Sequence, residues 1–202
     1  MRSGDVNYLY EYASKCKFII ETGAGGKSTK FLARAAEKNN AILISIELLK
    51  SRCKFLKRVE YMVGWSVKYD DIIKFNDKDF VEMKKWKKWR YRGGDYRDGQ
   101  AAHGDESMKV EENDLIRKAL LKYKDEELDF FFCDSGEYCG LAEWNIVKDK
   151  IKIGGYFAIH DIYYPKSIKG FKVVKIIKKN KKWKIKVMTS TKQGLLIAER
   201  IK

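Results

Sequence analysis

Four short segments of the chain carry side chains that could hold a ligand or do chemistry. Residues 21–25 combine an acid with two glycines, and Glu47 ends the next apolar run. Residues 134–137 and the pair at 160–161 contain acids, a hydroxyl and a histidine. Each segment follows an apolar stretch of the kind that forms a buried strand. The spacing therefore predicts that polar groups gather at the ends of strands.

The glycine-rich turn at 23–26 fits neither of the common phosphate-binding motifs. Gly26-Lys27-Ser28 resembles the end of a P-loop, but Glu21 stands where that motif needs its first glycine. The dinucleotide fingerprint needs a third glycine at the position of Ser28. A carboxylate at position 21 repels phosphates, so the turn favours a ligand that carries a cation.

Glu47 adds a second ligand-binding feature. An acid at the end of the second strand can accept both hydroxyls of a ribose. A ligand that has a ribose and a positive charge but no phosphate is S-adenosylmethionine. The alternative interpretation is an ordinary strand–helix turn without a ligand.

The elements that position these residues alternate along the chain, which predicts an α/β fold. Apolar runs predict strands at 17–22, 41–47, 59–63, 128–134, 156–161, 182–188 and 194–201. Helical spacing predicts helices at 5–14, 27–38, 48–57, 113–124, 140–150 and 168–179. The expected architecture is a mostly parallel sheet with helices on both faces and an antiparallel last strand pair. In the last helix the periodicity places Ile168, Phe171, Val174 and Ile177 inward, and Lys169, Lys172, Lys175 and Lys179 outward.

The 202 residues carry a formal net charge of +15, concentrated in two regions. One is the lysine-rich stretch at 166–192. The other is a Trp-rich basic cluster at 84–92, which lies in a long stretch without a clear strand at about 74–112. We expect one domain over 1–202, with this stretch as an insertion or lid. Its candidate acceptor-binding residues are Trp86, Trp89, Arg90, Arg92 and His103. Aromatic residues among cations also suit RNA, although a solvated surface explains the same pattern.

The composition also limits where the protein functions. The four cysteines include no pair with zinc-knuckle spacing, which predicts reduced thiols and a cytoplasmic protein. The apolar runs are too short to span a bilayer, so we expect no membrane partner. The first residues lead into no signal sequence, so we expect no secretion. A homo-oligomer is left open.

From residue 18 onward, outside the insertion, the chain resembles the class I S-adenosylmethionine-dependent methyltransferases. The resemblance implies a Rossmann-like, seven-stranded sheet. It implies that Glu21, Gly23 and Gly25 face the amino-acid part and adenosine of the cofactor, and that Glu47 holds the ribose. The segment 63–66 matches the family's adenine-binding segment, with Trp65 in place of an acid. The implied cofactor-binding set is Glu21, Thr22, Gly23, Ala24, Gly25, Ser28, Glu47, Leu48, Trp65, Ser66 and Asp134.

The residues after the fourth and fifth strands are similar to those of small-molecule O-methyltransferases, a subgroup that uses a divalent metal. The resemblance implies a metal site, for Mg²⁺ or Mn²⁺, formed by Asp134, His160 and Asp161. Glu137 stands at the position of the subgroup's catalytic histidine and is the expected base, so the candidate catalytic residues are Asp134, Glu137 and His160. His160 departs from the pattern, which has an acid there. The alternative is that Asp134 contacts only the cofactor and His160 is structural.

Three functions compete on these grounds. The leading expectation is O-methylation of a small hydroxylated molecule, such as a sugar or a natural-product intermediate. The second is RNA methylation, for which Lys15, Asp134, Lys175 and Glu199 can be matched to the catalytic set of ribose methyltransferases. The third is a cofactor-binding scaffold without catalysis.

Overall fold

The computed structural model describes residues 3–68, 70–72, 110–136, 139–163, 169–190 and 193–202. Glu137 lies outside these residues, as does all of the predicted insertion except 110–112. Trp86, Trp89, Arg90, Arg92 and His103 therefore lie outside them too, as does Ile168. Their predicted roles remain predictions.

The described residues form five α-helices and seven strands in an alternating order. The helices are α1 (Ser3–Ala13), α2 (Lys27–Asn39), α3 (Leu115–Lys122), α4 (Cys139–Val147) and α5 (Lys169–Lys179). The strands are β1 (Phe18–Thr22), β2 (Ile42–Glu47), β3 (Val59–Val63), β4 (Leu128–Cys133), β5 (Ile151–His160), β6 (Trp183–Met188) and β7 (Leu195–Arg200).

All seven strands belong to one sheet, in the order β3-β2-β1-β4-β5-β7-β6. β1 pairs in parallel with β2 and β4, and β3 and β5 extend the parallel part outward. β7 runs antiparallel to both β5 and β6. The predicted α/β architecture with an antiparallel last strand is confirmed.

Helices cover both faces of the sheet, as the sequence predicts. Alternate residues of a strand point to opposite faces, so Phe18 and Ile20 pack with α3, α4 and α5, whereas Ile19 packs with α1 and α2. β1 and β4 are buried along their whole length. This two-sided burial explains why most residues of both strands are apolar, on either face of the sheet.

Three predictions about these elements are wrong. The helix at 48–57 is absent; only a short 3₁₀ helix, Lys50–Arg52, forms there, since Leu49 is extended and donates its N–H to Glu47. β5 begins at Ile151 rather than at 156, because the strand continues through Gly154 and Gly155. Lys169 points inward and is 3% exposed, not outward.

All four cysteines are free thiols, and three of them are buried. Within the described part of the chain, no helix has both the length and the apolar character needed to cross a membrane.

Candidate active site

The loops after β1 and β4 meet closely at the carboxyl edge of the sheet. The Asp134 N–H bonds to the Thr22 carbonyl at 3.1 Å, which extends the parallel pairing past the strand ends. Gly23 has φ of 75°, and a Cβ there would lie 2.1 Å from the Asp134 carbonyl oxygen. Only glycine meets both the conformation and the close approach. The turn thereby places the start of α2 beside the candidate catalytic residues.

Gly25 makes a second close approach on the same turn. Its φ is 90°, and a Cβ there would lie 2.6 Å from the Arg52 carbonyl oxygen. The Gly25 N–H donates to Thr29 Oγ1 at 2.9 Å, so α2 fixes the turn. The two glycines thus let the turn pack against the segments that follow β4 and β2.

Glu21 is a buried carboxylate with unused acceptor capacity. Its Oε2 accepts a 3.0 Å hydrogen bond from Ser45 on β2, while Oε1 has no hydrogen-bond partner. Burial raises the pKa of Glu21 to about 7, against the opposing effect of the Ser28, Thr29 and Ser45 hydroxyls. A buried carboxyl with a free oxygen is stabilised in its charged form when a cation binds beside it. Glu21 therefore suits the positively charged end of a ligand.

Glu47 is also buried and lies at the end of β2. Its Oε1 accepts the Leu49 N–H at 3.2 Å. Its Oε2 makes no hydrogen bond, although Arg52 Nη1 lies 3.4 Å away. Burial raises the pKa of this carboxyl. The free acceptor capacity fits the predicted contact with ribose hydroxyls.

Trp65 and Ser66 follow β3, and their hydrogen bonds go to two different parts of the chain, residues 110–112 and α4. The indole N–H of Trp65 donates to the Val110 carbonyl at 3.0 Å. The backbone N–H of Trp65 donates to the Glu112 carbonyl at 2.8 Å. Ser66 Oγ donates to Glu143 Oε1 at 2.5 Å. The residue after β3 that was expected near adenine is therefore tied to the segment that follows the predicted insertion.

Glu143 on α4 joins two of the predicted cofactor-binding residues, and the sequence analysis missed it. Its other oxygen, Oε2, accepts a 2.9 Å hydrogen bond from Thr22 Oγ1. Glu143 is fully buried. One signal was available, because Glu143 is the single charged residue in the otherwise apolar or neutral α4. A lone acid in such a helix indicates a buried polar network.

The structure brings the three predicted metal ligands together. Asp134 follows β4, His160 ends β5 and Asp161 follows β5. One ligand atom from each residue lies within 4.8 Å of the others. His160 Nδ1 lies 3.3 Å from Asp134 Oδ1 and 3.3 Å from Asp161 Oδ1. Asp161 has a left-handed φ of 61°, which aspartate tolerates better than most residues.

Lys169 completes this cluster, and nothing in the sequence pattern predicted it. Its ammonium donates to Asp134 Oδ1 at 3.0 Å, to Asp161 Oδ2 at 3.1 Å and to the Ser135 carbonyl at 3.1 Å. Burial alone would lower the pKa of Lys169, but the two carboxylates outweigh it and raise the pKa above its usual range. Lys169 is therefore a permanent cation in this site.

The charged groups of the cluster also shift one another's pKa. Burial lowers the pKa of His160, yet hydrogen bonds to Asp134 and Asp161 raise it to about 9 overall. Burial acts against ionisation of Asp161, but His160 and Lys169 lower its pKa below the usual range. The two carboxylates, the imidazole and the ammonium therefore form one ionic cluster at the ends of β4 and β5.

The cluster does not fit a divalent ion as it stands. The donor set of two carboxylates and an imidazole is chemically suitable. However, an ion would have to share both carboxylates with the Lys169 ammonium, which already lies 3.0 Å from Asp134 Oδ1 and 3.1 Å from Asp161 Oδ2. We derive no reaction step through a metal.

The catalytic set proposed for an RNA methyltransferase does not come together. Lys15 precedes β1 at the opposite edge of the sheet from Asp134 and pairs with Glu11 at 3.6 Å. Glu199 pairs with Lys186 at 3.1 Å, and Lys175 lies over the Phe171 ring. These positions are wrong for a shared site with Asp134.

Several solved structures are similar to this fold. Cofactor-bound Rv0187 from MTB aligns with a TM-score of 0.61 and 12% identity, over 99% of this chain and 81% of that one. An O-methyltransferase from Bacillus cereus in complex with SAH aligns with a TM-score of 0.59 and 13% identity, over 99% of this chain and 82% of that one. The O-methyltransferase TomG from Streptomyces achromogenes, in complex with SAM, aligns with a TM-score of 0.55 and 13% identity, over 100% of this chain and 82% of that one.

At the level of sequence, no protein-family model and no curated protein matches the chain. The structural similarity covers nearly the whole chain, and the sheet has seven strands with the last strand antiparallel, as the sequence resemblance implied. The chain therefore has the Rossmann-like fold of the class I S-adenosylmethionine-dependent methyltransferases.

Proposed function

We propose that the protein is a methyltransferase that uses S-adenosylmethionine to methylate a hydroxyl group of a small molecule. The observation that carries this proposal is the pair of buried carboxylates at the ends of adjacent strands, each with an oxygen that makes no hydrogen bond. Glu21 on β1 suits the cationic amino-acid part, and Glu47 on β2 suits the ribose. Between them runs a glycine turn that packs closely against Asp134 and Arg52, at the carboxyl edge where the two acids lie.

The other residues of the proposed cofactor site surround this pair. Thr22, Ala24 and Ser28 line the turn between β1 and α2, and Leu48 follows Glu47. Trp65 and Ser66 follow β3 on the adenine side, and Asp134 follows β4. Two of the compared structures contain SAM or SAH, and those proteins are O-methyltransferases. This supports the same cofactor here.

The acceptor is proposed to bind beside Asp134 and His160, next to the cofactor's methyl group. When bound, S-adenosylmethionine supplies a methyl group activated by the sulfonium, and the protein must align the acceptor oxygen for in-line attack. We assign removal of the hydroxyl proton to Glu137, because it stands after the fourth strand at the position of the catalytic base in the methyltransferases that the sequence resembles. The insertion at about 74–112 is proposed as the lid that selects the acceptor, with Trp86, Trp89, Arg90, Arg92 and His103 as its contacts.

The proposal is tested by methyl transfer itself. Purified protein is incubated with S-adenosylmethionine and a panel of small phenols, sugars and hydroxylated acids, and S-adenosylhomocysteine is measured. We expect turnover with at least one acceptor class and its loss in Glu47→Ala, whereas Glu126→Ala, an exposed acid at the other edge of the sheet, retains it. Methylation of RNA but of none of the small molecules would contradict the acceptor class. Cofactor binding without transfer to any acceptor would favour a scaffold.

A further inference from the structure

The lysine at the start of α5 occupies an unusual position for a positive charge. Lys169 is 3% exposed. An ammonium is almost never buried unless it is paired. Its three N–H donors meet three oxygens, two from carboxylates and one from the Ser135 carbonyl. Every donor is used, so the charge is held at one point rather than left to move.

The surrounding backbone is built to admit this side chain. A Cβ at Gly140 on α4 would lie 2.7 Å from Lys169 Cγ and 2.7 Å from its carbonyl oxygen, so a larger residue could not stand there without displacement. The Gly170 N–H bonds to the Asp161 carbonyl at 3.2 Å, which fixes the start of α5 against the end of β5. The helices α4 and α5 and the end of β5 therefore pack closely around Lys169.

The ammonium lies where the donor set of Asp134, His160 and Asp161 would otherwise hold an ion. Its 3.0 and 3.1 Å contacts to the two carboxylates are ordinary charge-assisted hydrogen bonds. It joins the ends of β4 and β5, as a shared metal ion would. It also neutralises negative charge that would otherwise attract a divalent ion.

We propose that Lys169 is a built-in substitute for a divalent metal ion, which holds Asp134 and Asp161 in place so that this site works without a metal. Lys169 acts as a positioning residue, because all three of its donors are already bonded within the protein. This inference rests on the proposed function only for its meaning in catalysis. The placement of the cation can be tested on the protein alone.

The test is a titration with Mn²⁺, in which electron paramagnetic resonance measures the free ion. We expect the unmodified protein to bind Mn²⁺ no more tightly than about 1 mM, the range of weak oxygen sites. Lys169→Met removes the charge and keeps the length of the side chain, so two carboxylates become available. We expect this variant to bind Mn²⁺ about tenfold more tightly or better, and the double variant with Asp161→Asn to lose that gain. Lys179→Met, at the exposed end of the same helix, is the matched control.

The outcomes separate this inference from the proposed function. Tight Mn²⁺ binding by the unmodified protein that Asp161→Asn abolishes would overturn the inference. A folded Lys169→Met protein without any gain in Mn²⁺ affinity would overturn it too. If Lys169→Met does not fold, as judged by circular dichroism, the unmodified protein decides alone: weak binding supports the inference and tight binding overturns it. Binding of S-adenosylmethionine, measured separately by calorimetry, tests the proposed function and not this one.

Discussion

At the scale of single residues, the site depends on carboxylates that are buried with unfinished hydrogen bonding. Glu21, Glu47 and Glu143 are all buried, yet they play different parts. Both oxygens of Glu143 accept hydroxyl hydrogens from within the protein, whereas Glu21 and Glu47 each keep one oxygen without a hydrogen bond. A buried acceptor that makes no hydrogen bond is costly unless a ligand completes it, although the Arg52 guanidinium offsets part of that cost for Glu47. This difference separates the expected ligand contacts from the structural acid.

Glu21 makes cofactor affinity depend on pH. Its pKa of about 7 means that the carboxyl is mostly protonated below that pH and ionised above it. A cationic cofactor binds the ionised form, so we expect the affinity to rise about fivefold as the pH increases from about 6 to 7. Calorimetric titration with S-adenosylmethionine at several pH values measures this. In Glu21→Gln the rise should vanish; a rise of the same size in that variant would assign it to another group.

Glu143 is expected to matter for stability more than for chemistry. Glu143→Ala leaves the hydroxyls of Thr22 and Ser66 unpaired in the interior, which should cost about 2–4 kcal/mol of unfolding free energy. Glu143→Gln keeps one acceptor and should cost less. Urea denaturation gives both values, with the exposed Glu126→Ala as a reference. Equal stability of Glu143→Ala and the unmodified protein would show that this network contributes nothing.

At the scale of elements, the contact between α4 and α5 sets the geometry of the cluster. The helical periodicity of α5 was read correctly for Val174 and Ile177, which are buried. It was wrong for Lys169, because periodicity ranks side chains by polarity and cannot detect carboxylates that the fold brings from β4 and β5. The helix expected at 48–57 failed for a related reason: Glu47 captures the Leu49 N–H, a contact that helical spacing cannot reveal.

Gly140 provides a test of that contact. In Gly140→Ala the new methyl group collides with the backbone and side chain of Lys169, so α5 must shift. We expect a loss of about 1–3 kcal/mol in unfolding free energy, as for other overpacked interiors. Gly4→Ala, in α1 with nothing within 4 Å of the new methyl, is the control and should be neutral or slightly stabilising. A fully stable Gly140→Ala protein would contradict the close packing.

At the scale of the whole molecule, the alternation of strands and helices along the chain could be predicted, because short apolar runs alternate with helical patterns throughout the described residues. The register could not, and neither could the start of β5, since Gly154 and Gly155 look like a turn in isolation. Some of the lysines that give the protein its positive net charge lie where a cation favours the fold. Lys178 and Lys179 end α5, where cations are favourable, and Lys184 and Lys186 lie on the edge strand β6. Edge lysines discourage pairing with another chain.

The central claim is that the carboxyl edge of β1 and β2 binds S-adenosylmethionine, and calorimetric titration of the purified protein tests it most directly. We expect a Kd of about 1–100 μM for S-adenosylmethionine, no heat with ATP or NAD⁺, and affinity at least about tenfold weaker in Glu47→Ala. Binding of ATP without binding of S-adenosylmethionine would contradict the claim, because the carboxylates at 21 and 47 would then face phosphates.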